Sequence, residues 1–422
     1  MAARISTSDR AALTRRSRLL WVRVGGTLLA LTVFFVFALA RLASRDPLAA
    51  AAVTAPSFTS LTYGIHTALW WDEHRANLHL DWVRLMVFSH VKQIFAWEDL
   101  EPRRGVWVFD RADEIVSAVE DRGLKLVVRL SDAPDWSHPS LPGHKDRDFV
   151  DAPPDDLNDM AAYCGTLAGR YRGRIAAYQI WNEPNLSREW GNRPPDAAAY
   201  SALLRACGSA IRAADPSAIL ISAGLAPTGT YDQTAHPDDV FLQALYAAGF
   251  QREIDVVGVN APGYNNPPDL SPDDAAAQGS QRFFTFRRVE DLRKIMVANG
   301  DAARQMAILE MGWHTNPGTD PDYAWFAVDE ATQARYLVEA YQYAADHWRP
   351  WMGLMTTIYL PDPAWTPERE EYWWAITTPE GYVRPAFIEL ANMAKYCGDR
   401  VIPARAPDSP EALGLVPVNP CD

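Results

Sequence analysis

The chain has 422 residues, 48% of them hydrophobic and 22% charged, with 16 tryptophans and a net charge of −13. That is globular composition with ample length for a large core, and it excludes a disordered or fibrous chain. The charge is uneven. Residues 1–48 hold eight arginines against Asp9 and Asp46, a surplus of six, which leaves the remainder at −19. A body this acidic repels polyanions, so no nucleic-acid partner is expected.

Residues 1–23 form a basic N-terminus, with Arg15, Arg16, Arg18 and Arg23 ahead of a 17-residue uncharged run, 24–40. The run is long for the apolar part of a signal peptide and short for a membrane span. The arginines place its N-terminal side in the cytoplasm and the body outside. Two readings stay open: an uncleaved transmembrane anchor, or a signal segment removed after Ala38-Leu39-Ala40. Both make the body extracytoplasmic, held on the cell membrane in the first case and secreted in the second. Residues 41–60, small and Pro-containing, read as a linker.

From residue 61 to about 400, short β-rich runs alternate with helical stretches. The runs are 61–69, 91–97, 124–130, 175–181, 218–222, 254–259, 305–309 and 353–359. The helices are expected up to about Ser89, then over 110–122, 156–171, 196–214, 238–248, 284–299, 330–347 and 384–396. Continuous apolar strands imply burial on both faces, the mark of a parallel sheet. Eight such units predict an α/β fold, a (β/α)8 TIM barrel. A doubly wound sheet would want a Gly-rich phosphate loop after the first strand, and Gly64-Ile65-His66-Thr67 supplies none. Residues 401–422 form a Pro-rich tail.

Two strands end in a carboxylate. The run Ala177-Tyr178-Gln179-Ile180-Trp181-Asn182-Glu183-Pro184 closes the fourth, and Met306-Ala307-Ile308-Leu309-Glu310 closes the seventh. Barrel active sites are built at these strand ends, so Glu183 and Glu310 can converge across the mouth. Glycosidic bond cleavage requires such a pair: one donates a proton to the leaving oxygen, and the other attacks or steers the anomeric carbon. A lone Glu in a loop is usually a solvated surface charge. Here Pro184 restricts Glu183 and a buried strand leads into each carboxylate.

These residues resemble clan A glycoside hydrolases, most closely family 39 and its relatives. The resemblance spans about 61–398. It is also carried by Val91 to Pro102, by Gly105 with Phe109-Asp110, and by Ala133-Pro134-Asp135-Trp136. It implies a retaining hydrolase acting on an extracellular oligo- or polysaccharide, with Glu183 as acid/base and Glu310 as nucleophile. It further implies carboxyl groups about 5–5.5 Å apart and a hydrogen bond from Asn182 to the sugar 2-hydroxyl. One departure is evident: Asn260 stands where the clan often has His, with Tyr264 nearby as the residue that would orient the nucleophile. A non-hydrolytic glycan-binding protein and a transglycosylase are the alternatives on the same barrel.

Flat aromatic rings pack against the apolar faces of sugars. Trp97, Trp136, Trp313 and Trp374 fall at or just past strand ends and are expected in the cleft, with Trp70, Trp71 and Trp365 behind them. The competing role for each is packing between barrel and helices. His66, ending the first strand, is a candidate for a sugar hydroxyl. His138, His144 and residues 146–156 form a polar excursion that is either a substrate loop or solvated surface. The Gly318 to Asp322 loop has no EF-hand spacing, and neither metal nor cofactor is expected. Four cysteines lie outside any Cys-x-x-Cys pair. Cys164–Cys207 and Cys397–Cys421 are possible bridges, and four buried thiols are the other possibility.

Overall fold

The computed structural model describes residues 31–32, 46–59, 61–141, 151–316, 324–397 and 400–404. It divides into Met1–Ala52 and Val53–Asp422. In the first unit the Asp46 carboxylate accepts from the amides of Leu48 and Ala50 ahead of a 3-10 turn at Ala50–Ala52. The expected span 24–40 lies outside the described residues, save 31 and 32. Among the described residues no helix is long and apolar enough to cross a membrane.

The second unit is a closed barrel of eight parallel strands in sequence order. They are β1 (Thr62–His66), β2 (His90–Ala96), β3 (Lys125–Ser131), β4 (Ile175–Ile180), β5 (Ile219–Ser222), β6 (Val256–Asn260), β7 (Gln305–Met311) and β8 (Met352–Thr357). Helices α1 (Ala76–Leu85), α2 (Trp97–Leu100) and α3 (Asp110–Glu120) follow the first two strands. They are succeeded by α4 (Leu157–Arg170), α5 (Ala197–Ala214), α6 (Asp238–Ala248), α7 (Pro272–Ala277), α8 (Arg288–Ala298), α9 (Glu330–His347), α10 (Glu370–Trp374) and α11 (Pro385–Asn392). Asp156, Asp196 and Asp329 cap α4, α5 and α9 by accepting first-turn amides, which fixes where each helix begins. A short antiparallel pair, β9 (Lys395–Cys397) and β10 (Arg400–Ile402), follows α11 and takes the last residues of the expected 384–396 helix.

Inside the barrel, one layer is wholly apolar: Val127, Ala177, Ile221, Val256, Ala307, Leu309 and Leu354. Phe58 joins this cluster and is only 3% exposed. The Gln305 side chain holds it, accepting from the Phe58 amide (2.8 Å) and donating to its carbonyl (3.1 Å). The stretch expected to be linker therefore ends in a barrel plug, with Val53 also buried. Above this layer the interior turns polar, with Lys92, Gln179 and Asn182 buried.

Cys164 on α4 and Cys207 on α5 are disulfide-bonded, with Cα atoms 5.3 Å apart. Cys397–Cys421 falls outside the described residues. The bond closes a loop over 43 positions of sequence, so the Cys164→Ser, Cys207→Ser double variant is expected to lose about 3 kcal/mol of stability in urea unfolding. No change in the urea midpoint would show that this bond contributes nothing.

Candidate active site

The end of β4 is tightly shaped. Trp181 and Glu183 both take left-handed backbone conformations, at φ 72° and 36°. Non-glycine residues adopt these only when their surroundings enforce them. The enforcement is visible. The Trp181 indole donates to the carbonyl of Glu189 (2.8 Å), and the Glu183 amide donates to the carbonyl of Gly224 (3.2 Å). Asn185 clamps the neighbouring loop, accepting from the amide of Ala226 and donating to the carbonyls of Ala226 and His236. The Asn-Glu-Pro-Asn sequence thus builds a fixed corner between two bent residues.

Glu310 reaches the mouth by a different device. Ala307 and Leu309 face the apolar core, so strict alternation would turn Glu310 outwards. The pairing registers on both flanks of β7 slip at this point, between Val259 and Asn260 on one side and between Ile308 and Met311 on the other. The irregularity re-aims Glu310 into the mouth, as bulges beside barrel sites do.

Both carboxylates line one cleft of about 540 Å³, together with His66, Arg129, Asn182, Asn260 and Tyr359. Asn260 donates to Glu183 Oε1 (2.8 Å), and its own Cα pairs with that of Glu310. The Asn at the clan's His position therefore holds the carboxylate of β4. Arg188 approaches the other oxygen of Glu183 at 3.4 Å. Burial pushes the Glu183 pKa up, and the charge of Glu310 pushes it further, against the pull of Arg188 and the Asn260 amide.

Glu310 sits among cations. Lys92 donates to its Oε1 and to the carbonyl of Leu309, each at 3.1 Å. Arg129 lies 3.9 Å from the same oxygen, and His66 Nδ1 lies 4.0 Å away. Lys92 is only 1% exposed, and burial lowers its pKa to about 8 even though Glu310 favours its charged form. Burial, with Lys92 and Arg129 beside it, holds His66 well below the usual imidazole range, so the ring is neutral.

A third carboxyl, Glu189, lies in the cleft at 4% exposure. Burial first, then the charge of Glu183, raises its pKa to about 7. No cluster of three His, Cys, Asp or Glu among the described residues is arranged to hold a metal ion.

Of the candidate site residues, Glu183, Glu310, Asn182, His66 and Trp374 line the cleft. Trp97, Trp136, Trp313 and Tyr264 are elsewhere. Trp97 is fully buried, stacked on Tyr163 at 5.0 Å and bonded to Glu101. Trp136 packs edge-on against Trp97 and donates to the Glu101 carbonyl, with Arg104 over its ring. Trp313 is fully buried behind Gly263 and donates to the carbonyl of Asn266. These three fill space between barrel and loops. Tyr264 donates to the carbonyl of Pro227 and packs on Phe284. The tyrosine at the cleft is Tyr359, whose ring lies 5.2 Å from His66. Trp71, 46% exposed, and Trp365, against Tyr359, supply the open aromatic walls. His138 is buried against Ser137, away from the cleft, whereas His144 and the Gly318 to Asp322 loop lie outside the described residues.

Lys92, Arg129 and Glu189 are functional candidates that the strand-end reading passes over. Their signal was available: Lys92 and Arg129 interrupt otherwise apolar strands, and a charge inside a buried strand must find a partner. A larger groove of about 1040 Å³ over α5 and α6 is walled by Pro194, Ala198 and Tyr231 and lacks paired carboxylates. The paired carboxylates lie in the smaller cleft.

Residues 58–251 match the model of the Cellulase (glycosyl hydrolase family 5) family. The match runs from Phe58 through β5 and α6, so it includes Asn182-Glu183 and stops short of Glu310. The family model and the barrel together support a clan A glycoside hydrolase. Among solved structures, a family 39 glycoside hydrolase from the gut symbiont Bacteroides cellulosilyticus WH2 is similar, with TM-score 0.57 and 17% identity over 80% of this chain and 64% of that one. A glucosidase from Croceicoccus marinus has TM-score 0.55 and 13% identity over 74% and 62%. Native xylanase 10B from Thermotoga maritima has TM-score 0.52 and 14% identity over 78% and 93%. The chain thus spans under two thirds of the length of the first two, and at these identities the likeness is one of fold. No curated protein matches the chain.

Proposed function

We propose that the protein is a retaining glycoside hydrolase in which Glu183 is the acid/base and Glu310 the nucleophile. The observation that carries this is the unequal setting of the two carboxyls in one cleft. Glu183 is held towards its protonated form, and Glu310 lies 3.1 Å from Lys92 and 3.9 Å from Arg129. Glu183 gives its proton to the glycosidic oxygen as the Glu310 carboxylate attacks the anomeric carbon. The aglycone leaves as an alcohol, and the sugar remains as an ester on Glu310. A water then gives a proton to Glu183 and its oxygen to the anomeric carbon, which releases Glu310 and retains configuration. Asn182 and His66 face this sugar, while Trp71, Trp365 and Trp374 offer ring surface to it.

Export of the catalytic body, tethered through 24–40 or freed by cleavage, is part of the proposal. The Cys164–Cys207 disulfide supports an oxidising compartment. The substrate would be an external oligo- or polysaccharide.

The test is release of reducing sugar by the full chain from xylan, mannan and β-glucan, and of nitrophenol from aryl glycosides, beside Glu183→Gln. The variant is expected to lose about 10²- to 10⁴-fold on substrates with poor leaving groups. It should also be the more stable protein at pH 8. A carboxyl whose folded pKa is raised favours folding when protonated, and that contribution is lost as pH rises from the unfolded value through the folded one. The amide that Glu183→Gln introduces stays neutral throughout, so the gain in Tm should appear at pH 8 and vanish near pH 4. Wild-type binding of a glycan without release would replace the hydrolase reading with that of a binding protein.

A further inference from the structure

Among the described tryptophans only Trp71 and Trp325 are largely open to solvent, at 46% and 53% exposure. Trp71 lines the cleft. Trp325 lies between β7 and α9 in sequence, on the face of the barrel where the strands end. The mechanism above gives it no task.

The ring is held in place. It stacks on Tyr264 at 6.0 Å and 25°, and Phe284 and Phe326 meet it edge-on at 5.0 and 4.9 Å. Asn265 donates to the Trp325 carbonyl (3.2 Å), and the Tyr264 hydroxyl is anchored on the carbonyl of Pro227. A ring fixed in this way has little side-chain freedom left to lose when a ligand arrives. Among the described residues none accepts its indole N–H. An indole nitrogen can only donate, so it suits a hydroxyl oxygen.

This aromatic group continues the wall of the cleft. Trp374 lines the cleft, the Phe326 ring lies 6.0 Å from it, and Trp325 is the next ring beyond. Pro227 and Pro262 also line the cleft, the first bonded to Tyr264 and the second two residues before it. A sugar chain that leaves the cleft over these residues meets Trp325 within a few units. There it finds an apolar ring, a free N–H and the exposed Asn265 side by side, which matches the apolar faces and hydroxyl edges of a sugar.

We propose that Trp325, backed by Tyr264, is a sugar-binding platform outside the catalytic cleft, which takes a neutral glycan chain some units away from the bond that is cut. This rests on the hydrolase reading and deepens it: the substrate is a long chain rather than a glycoside of one sugar.

The test measures kcat/KM of the full chain on xylo-, manno- and cello-oligosaccharides from dimer to hexamer, and on 4-nitrophenyl β-glycosides of xylose, mannose and glucose. The wild type is expected to gain with chain length on the series it cleaves. Trp325→Ala should lose about tenfold on the hexamer, the scale of one ring contact. It should lose nothing on the 4-nitrophenyl glycosides, which are too short to reach the ring. Trp325→Phe should keep part of the gain. An equal fall on hexamer and 4-nitrophenyl glycosides would make Trp325 a support for the cleft and overturn the platform. So would a chain-length gain unchanged in Trp325→Ala. A dimer in sedimentation that Trp325→Ala dissociates would assign the ring to a second copy of this chain instead. A wild type that cleaves none of these substrates overturns the hydrolase reading, and native gels cast with xylan, mannan or β-glucan then read the platform alone. Retardation that Trp325→Ala loses supports it, and no retardation overturns it.

Discussion

Glu310→Ala is expected to lower glycoside release by up to about 10⁶-fold, the scale seen when a covalent nucleophile is removed, and to regain part of it in azide. The rescue follows from the surroundings. Removing the carboxylate leaves Lys92, 3.1 Å from the lost oxygen, and Arg129, at 3.9 Å, facing an empty space without a counter-charge. A small anion is drawn into that space. Azide attacks the anomeric carbon from the face that Glu310 occupied, with Glu183 still present to protonate the leaving oxygen. One displacement replaces two, so the product is a glycosyl azide of inverted configuration. Chromatography and proton coupling constants of the product read this directly. Release that survives the substitution without azide would remove Glu310 from the mechanism. Loss of release with no azide product would limit Glu310 to supporting the site.

The barrel was legible because its strands are continuous apolar runs and its helices carry clear starts. All eight strands begin within two residues of the expected position, and the first and last end somewhat earlier than expected. The two strand-end carboxylates were legible for the same reason, since a charge that ends a buried strand has one place to go. What the sequence hid depends on geometry that no spacing encodes. The register slips on β7 decide that Glu310, rather than Leu309, faces the mouth. The tryptophans show the same limit. Trp97, Trp136 and Trp313 sit near strand ends as sugar-stacking rings do, yet each finds a hydrogen-bond partner in the shell around the barrel. Trp71 and Trp365, placed by long loops, form the open walls instead. Phe58 looked like linker because the residues before it are small, and only the barrel's interior reveals the hole it fills.

Lys92→Met is expected to cost about 3 kcal/mol of stability. Lys92 is a buried cation whose lowered pKa shows that its desolvation is only partly offset by Glu310. On its own that cost argues for a gain on removal. The partner decides otherwise: Glu310 is 17% exposed at its side chain, and losing Lys92 leaves a mostly buried carboxylate with Arg129 at 3.9 Å as its nearest cation. Breaking one side of a buried pair costs about 3–5 kcal/mol, and Arg129 keeps the loss near the lower end. The double variant Lys92→Met, Glu310→Gln isolates that effect. With both charges gone, stability should return close to that of the wild type while activity stays absent, because the destabilisation in Lys92→Met comes from the orphaned carboxylate. Urea unfolding of the three proteins decides it. A midpoint unmoved by Lys92→Met would mean that Arg129, at 3.9 Å, alone supports the buried carboxylate.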